Sequence, residues 1–234
     1  MKIASVTITS ESKGKIIGDC LKSVVDNVDA NIVVVIDNTG CEKDDTPEEA
    51  RERHKRMLDG LNRQVDDDPQ NPRWFYYLGQ VYSTIGEFDN ALESMCTAYS
   101  LCEDKHNDLR AWVCFCSANL YLQLNDFSNA ICWAYKGVVA RPDVPELYTT
   151  IARAYGSSGA LLDAITMCEL AISQSPQNVK RRRERSGFAH LPASFEEPYQ
   201  IMAEVYAVMG ETRLSEWAKK EAMRQEKKRK EFRR

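Results

Sequence analysis

From Phe75 onward, apolar and small residues fall at the three- and four-residue intervals of helices that turn one face inward, and the same order of residues then recurs. The first set is Phe75, Leu78, Gly79, Tyr82, Gly86, Phe88, Ala91 and Ala98. Thirty-nine positions on, Cys114, Ser117, Ala118, Tyr121, Asn125, Phe127, Ala130, Ala134, Gly137 and Pro142 fill the same slots, the five extra residues falling in the turn around Lys105 to Asp108. Thirty-four positions further come Tyr148, Ile151, Ala152, Tyr155, Gly159, Leu161, Ala164, Cys168, Ala171 and Pro176. A fourth set, Tyr199, Met202, Ala203, Tyr206, Gly210, Ser215 and Ala222, follows an inserted stretch. Each set predicts a helix, a turn and a second helix. Small residues at the eighth and twentieth slots let the paired helices approach, and the tyrosine at the eleventh fills the gap between units. No such pair buries its apolar face alone, so the units are expected to stack.

These slots resemble the tetratricopeptide repeat (TPR), which implies a mainly α, TPR-type helical-hairpin solenoid over 66–234 with repeats at about 72–105, 111–144, 145–178 and 196–229. The resemblance also implies a protein or peptide partner in a concave groove lined by the first helix of each pair. The ligand-facing slots hold Arg73, Tyr76, Gln80 and Ser83; Trp112, Phe115, Asn119 and Gln123; Glu146, Thr149, Arg153 and Ser157; and Glu197, Gln200 and Glu204. Amides such as Gln80, Asn119 and Gln200 can clamp an extended backbone, and Tyr76, Trp112 and Phe115 can serve as anchors. Equally open is that Trp112 and Phe115 pack on the neighbouring repeat or on the N-terminal unit.

Ahead of the repeats the period changes. Residues 2–9 read as a strand, residues 13–25 as an amphipathic helix with Ile16, Ile17, Cys20, Leu21 and Val24 on one face, and residues 31–36 as a strand covered on both sides. That order predicts a small α/β unit over 1–65, a β-α-β-α arrangement with a parallel strand pair. A polar loop, Asp37-Asn38-Thr39-Gly40, follows the second strand, and Thr46-Pro47-Glu48-Glu49 has the chemistry of a helix cap and first turn. Ser5 to Thr9, the helix end Cys20-Leu21-Lys22-Ser23-Val24, the strand end Val33-Val34-Val35-Ile36-Asp37 and the stretch Asp44 to Ala50 are similar to the start of family 2 glycosyltransferases, some of which carry C-terminal TPRs. This resemblance implies that Asp37, with Thr9 nearby, contacts the base of a nucleotide-sugar donor; the alternative is that Asp37 only starts a turn. Between Arg51 and Asp66 there is room for one helix and not for the strands that bear the family's metal-holding Asp-x-Asp and its acidic base. The run Asp66-Asp67-Asp68 is read as capping the next helix. A divalent metal therefore enters only under the glycosyltransferase alternative, and no other cofactor is expected.

Composition changes this picture little. With 43% hydrophobic and 28% charged residues among 234, and no apolar run long enough for a membrane span, the chain reads as soluble. Its eight cysteines form no C-x-x-C pair, which suits reduced thiols and a cytoplasmic location. No leader is legible at the N-terminus. The net charge of −4 is uneven: Lys180 to Arg185 carries +4 and Lys219 to Arg234 carries +6, leaving −14 elsewhere. Solvated surface is the favoured reading of both basic runs, with nucleic-acid contact left open by the tail. The insertion 177–195 is expected to be an exposed loop or a helix extension. His54, His106 and His190 have no partnered nucleophile at recognisable spacing, so a binding scaffold is expected rather than an enzyme.

Overall fold

The computed structural model describes residues 46–174 and 190–232, and every regular element among them is helical. By its contacts the chain divides into units 1–55 and 56–234. The expected β-α-β-α unit, with Thr9 and Asp37, lies outside the described residues apart from its last helix. That helix, α1, spans Pro47–Asp67. It starts with a reciprocal cap: the Thr46 amide donates to Glu49 Oε2 at 2.8 Å, and the Glu49 amide donates to Thr46 Oγ1 at 3.3 Å.

Among the described residues, eight helices follow in four hairpins: α2 (Pro72–Thr84) with α3 (Phe88–Leu101), α4 (Asn107–Gln123) with α5 (Phe127–Ala140), α6 (Pro145–Ser158) with α7 (Leu161–Ser173), and α8 (Glu197–Val208) with α9 (Thr212–Phe232). Each first helix also packs on the first helix of the next hairpin, and each second helix on the first helix that follows it. One correction concerns the acidic run. The cap of α2 is Asn71, whose side chain accepts from the Arg73 amide at 3.1 Å, while Asp66 and Asp67 end α1. Asp68 acts one step back, accepting from Asn71 Nδ2 at 3.1 Å.

The turn inside each hairpin is built the same way four times. Gly86, Asn125, Gly159 and Gly210 have φ of 82°, 58°, 88° and 79°, the left-handed conformation that ends a helix. The carbonyls of Tyr82, Tyr121, Tyr155 and Tyr206 each accept from the amide five residues on at 2.9 Å. A second bond from the left-handed residue itself, to Ser83, Leu122, Gly156 or Ala207, completes a Schellman motif in every repeat. The eleventh-slot tyrosine thus has two duties: its carbonyl stops the helix, and its half-buried ring packs on the core.

Close helix approach follows from side-chain size at the crossings. Ala91, Ala118, Ala130, Ala152 and Ala164 are fully covered, and a Cβ on Gly79 would lie 2.8 Å from Met95 Cε. Between hairpins, a Cβ on Gly137 would meet Leu147 Cδ2 at 2.5 Å and Cys114 Cβ at 3.0 Å. Met95, Val113, Leu147 and Ile151, all 0% exposed, fill the layers. The layers interlock: Tyr99 packs on the clusters of the first and second repeats, and Tyr155 and Met167 on those of the second and third.

Another correction concerns the insertion. Its last part is core rather than exposed loop: Leu191, Ala193 and Phe195 are 6%, 0% and 5% exposed. They belong to a 3₁₀ turn, Leu191–Ser194, and its cap, which pack against α6, α7, α8 and α9. Residues 175–189, with the basic run, lie outside the described residues. The C-terminal basic segment continues as helix in α9 to Phe232. No described helix is long and apolar enough to cross a membrane.

Candidate functional site

The first helices of the first two repeats bring ligand-slot residues together. Gln80 and Ser83 from α2, and Phe115, Cys116, Asn119 and Gln123 from α4, line a cleft of about 280 Å³, with Met95 and Leu120 in its lining as well. Slots five, nine and twelve or thirteen repeat along each helix at intervals that keep them on one face, so stacking α2 on α4 aligns them. Gln80 Nε2 donates to Cys116 Sγ at 3.1 Å, and Asn119 Nδ2 donates to the Phe115 carbonyl at 2.8 Å. Each amide is thereby engaged through its nitrogen, and its carbonyl oxygen retains its capacity to accept. Burial pushes the Cys116 thiol up to about 12, so the floor of the cleft is neutral across the physiological range. Amides, a hydroxyl, a thiol and apolar groups make up the described lining of the cleft.

The other slot residues separate into three groups. Tyr76 and Trp112 join one another: Trp112 Nε1 donates to Tyr76 Oη at 2.8 Å, Tyr76 is 7% exposed, and the Trp112 ring lies 4.8 Å from that of Phe115. Burial, the largest influence, raises the Tyr76 hydroxyl well above its ordinary range and keeps it neutral. Both rings therefore take part in packing between repeats. Arg73, Gln200 and Glu204 are exposed on their helices, and Arg153 is half open, its guanidinium paired with Glu197. Glu146, Thr149 and Glu197 are the surprise, because they occupy ligand slots yet are 0%, 1% and 4% exposed. Glu146 Oε1 accepts from the His190 backbone amide at 2.7 Å, so the chain itself occupies this part of the face. Sequence reasoning missed that occupation, although the alternation Leu191, Ala193, Phe195 was the available signal.

A second cleft, about 310 Å³, is lined by Lys105, Asn107, Asp108 and Arg141. Its guanidinium is already engaged, by Asp108 and by both carboxylate oxygens of Asp143 at 2.8 and 2.6 Å. Among the described residues, no group of three or more His, Cys, Asp or Glu side chains could hold a metal ion.

With this geometry in place, a family model described as a tetratricopeptide repeat matches residues 75–105, the first hairpin and the turn after it. Among solved structures the chain is similar to MamA, with a TM-score of 0.59 at 17% identity over 85% of this chain and 99% of that one. It is also similar to MamA 41-end from Desulfovibrio magneticus RS-1, with a TM-score of 0.57 at 15% identity over 76% of this chain and 88% of that one. A third likeness is to TTC0263, a thermophilic TPR protein in Thermus thermophilus, with a TM-score of 0.55 at 16% identity over 75% of this chain and 84% of that one. No curated protein matches the sequence. At these identities the likeness concerns the fold: a TPR-type helical solenoid.

Proposed function

We propose that this chain is a cytoplasmic scaffold that captures an extended segment of a partner protein in the cleft between α2 and α4. The observation that carries this reading is the convergence of Gln80, Phe115, Asn119 and Gln123 on one neutral cleft, two of them amides already oriented by their own hydrogen bonds. Preset amides lose little freedom when they take up a peptide backbone, and the Phe115 ring supplies an apolar contact. Arg73, Arg153, Gln200 and Glu204 border the same face and extend the footprint of a longer ligand. Selection of peptides from a random display library on the immobilised chain, followed by titration against Gln80→Ala/Asn119→Ala, tests the reading. Peptides from that selection should bind the double variant about tenfold or more weakly; equal affinity would show that the cleft is not where they bind.

A second reading, a glycosyltransferase completed by a partner or a further segment, is favoured by one feature. That feature is the order of segments over residues 5–50, which is similar to the start of that family. Thr9 and Asp37 would then contact a nucleotide sugar, with a divalent metal on its diphosphate. Calorimetric titration with nucleotide sugars and manganese discriminates between the readings, and absence of heat from every donor removes the second.

A further inference from the structure

We propose that the surface formed by the start of α6, the start of α8 and the C-terminal half of α9 is a second peptide-binding site, closed by the chain's own residues 190–196 and open to a partner segment of the same chemistry.

The contacts of residues 190–196 have the form of peptide recognition. Slot two holds exposed Arg73 in the first repeat and Glu146 in the third, where the carboxylate grips the His190 amide. Here a helical side chain holds the backbone N–H of an irregular segment, and that segment is supplied in cis. Alternate residues Leu191, Ala193 and Phe195 then turn inward, and the Phe195 ring lies 5.5 Å from Phe232. Glu196 closes the row, both of its oxygens accepting from Arg229 Nε at 2.7 and 2.9 Å. The ligand class follows from this occupant: a short segment of pattern apolar, Pro, small, polar, aromatic, acidic.

The occupant is also an imperfect one. Ser194 Oγ is buried without a hydrogen-bond partner among the described residues, which opposes the seating of this segment. Its backbone forms only a single 3₁₀ turn, with the Ala193 and Phe195 amides donating at 3.2 and 3.0 Å. Such turns have poorer hydrogen-bond geometry than α-helices and open at lower free energy than a helical core. A partner with alanine at the Ser194 position would avoid the unmet hydroxyl. The site lies in the third and fourth repeats, so its failure and that of the Gln80/Asn119 cleft are separately observable.

The test is anisotropy titration of the full chain with a fluorescein-labelled peptide of residues 190–197 carrying Ser194→Ala, against a scrambled control. In Phe195→Ala, which loosens the cis segment, the labelled peptide should bind about tenfold or more tightly than in the unaltered chain, because a larger fraction of molecules is open. Adding Glu146→Ala, which deletes the acceptor, should remove that gain. Hydrogen exchange on the unaltered chain covers the case in which a variant fails to fold: the His190 and Phe195 amides should exchange faster than that of Ile151 in α6. Equal exchange rates, or a helical Phe195→Ala chain that binds labelled and scrambled peptide alike, would overturn the proposal. So would a dimer of the unaltered chain that dissociates on Phe195→Ala, since a second copy's segment would then be the occupant.

Discussion

Ser215 Oγ donates a 2.8 Å hydrogen bond to the carbonyl oxygen of Ala203, across the crossing of α8 and α9. The same crossing slot holds Ala91, Ala130 and Ala164 in the other repeats, each 0% exposed. Volume at this point is therefore held to a few atoms, and the fourth repeat adds a bond the others lack. Ser215→Ala should lower stability by about 1 kcal/mol, the net value of one such bond. Ser215→Leu should cost about 1–3 kcal/mol or more through overpacking. Urea titration followed by circular dichroism separates the two.

Three glycine-to-alanine changes should differ in sign or size although each gains helix propensity of about 1 kcal/mol. A Cβ on Gly60 meets nothing within 4 Å, so Gly60→Ala should stabilise α1. On Gly137 it meets the fully buried Leu147 at 2.5 Å, and overpacking of about 1–3 kcal/mol should outweigh the propensity gain. Gly79→Ala should fall between, because the tightest neighbour is the flexible end of Met95, although the Ala91 carbonyl at 3.2 Å limits relaxation. Thermal melting of the three variants gives the order directly.

The hairpin turns give a matched pair. Gly159 has a φ of 88° and should not accept a side chain freely, so Gly159→Ala should cost about 1–2 kcal/mol. Asn125 already bears a side chain at a φ of 58°, so Asn125→Gly should change stability by only a few tenths, about 0.5 kcal/mol at most. Equal losses in chemical denaturation would contradict this account of the turn.

Thiol chemistry supplies a pH signature. Burial pushes Cys114, Cys116 and Cys168 up to about 12 in the folded chain, above the ordinary value of 9.0 that they regain on unfolding. Their folded-state pKa values are raised, so the associated stability is complete below about pH 9 and declines toward about pH 12, because only the unfolded chain releases those protons. The urea midpoint should fall as pH rises through that window. At pH 8, a maleimide should modify exposed Cys132 well before Cys114, Cys116 and Cys168, as mass spectrometry of timed digests would show.

The repeat spacing made the helical hairpins legible, because slots eight, eleven and twenty and the left-handed turn position are fixed by backbone approach and turn geometry, which few residue types satisfy. The cleft residues Gln80, Phe115, Asn119 and Gln123 were legible for the same reason, since their positions follow from phase alone. Tyr76 and Trp112 were harder: an aromatic ring in a ligand slot serves a neighbour as well as a guest, and only the 2.8 Å bond between them shows which. Glu146 and residues 190–196 escaped because burial of a carboxylate depends on a partner 44 positions away in the chain. The alternation of Leu191, Ala193 and Phe195 signals a buried segment but not the helix face that receives it. The capping of α2 shows the same limit at short range, since Asn71 and not the acidic run meets the free amide.

The rings of Tyr99 and Tyr155 each belong to two adjacent layers, and this sharing restricts how the array tolerates lengthening or shortening. Excising one hairpin at its own turns would leave a vacant socket on one side and a protruding ring on the other. A module for grafting or duplication must therefore carry, with its own two helices, the neighbouring residues that complete the socket of each shared ring.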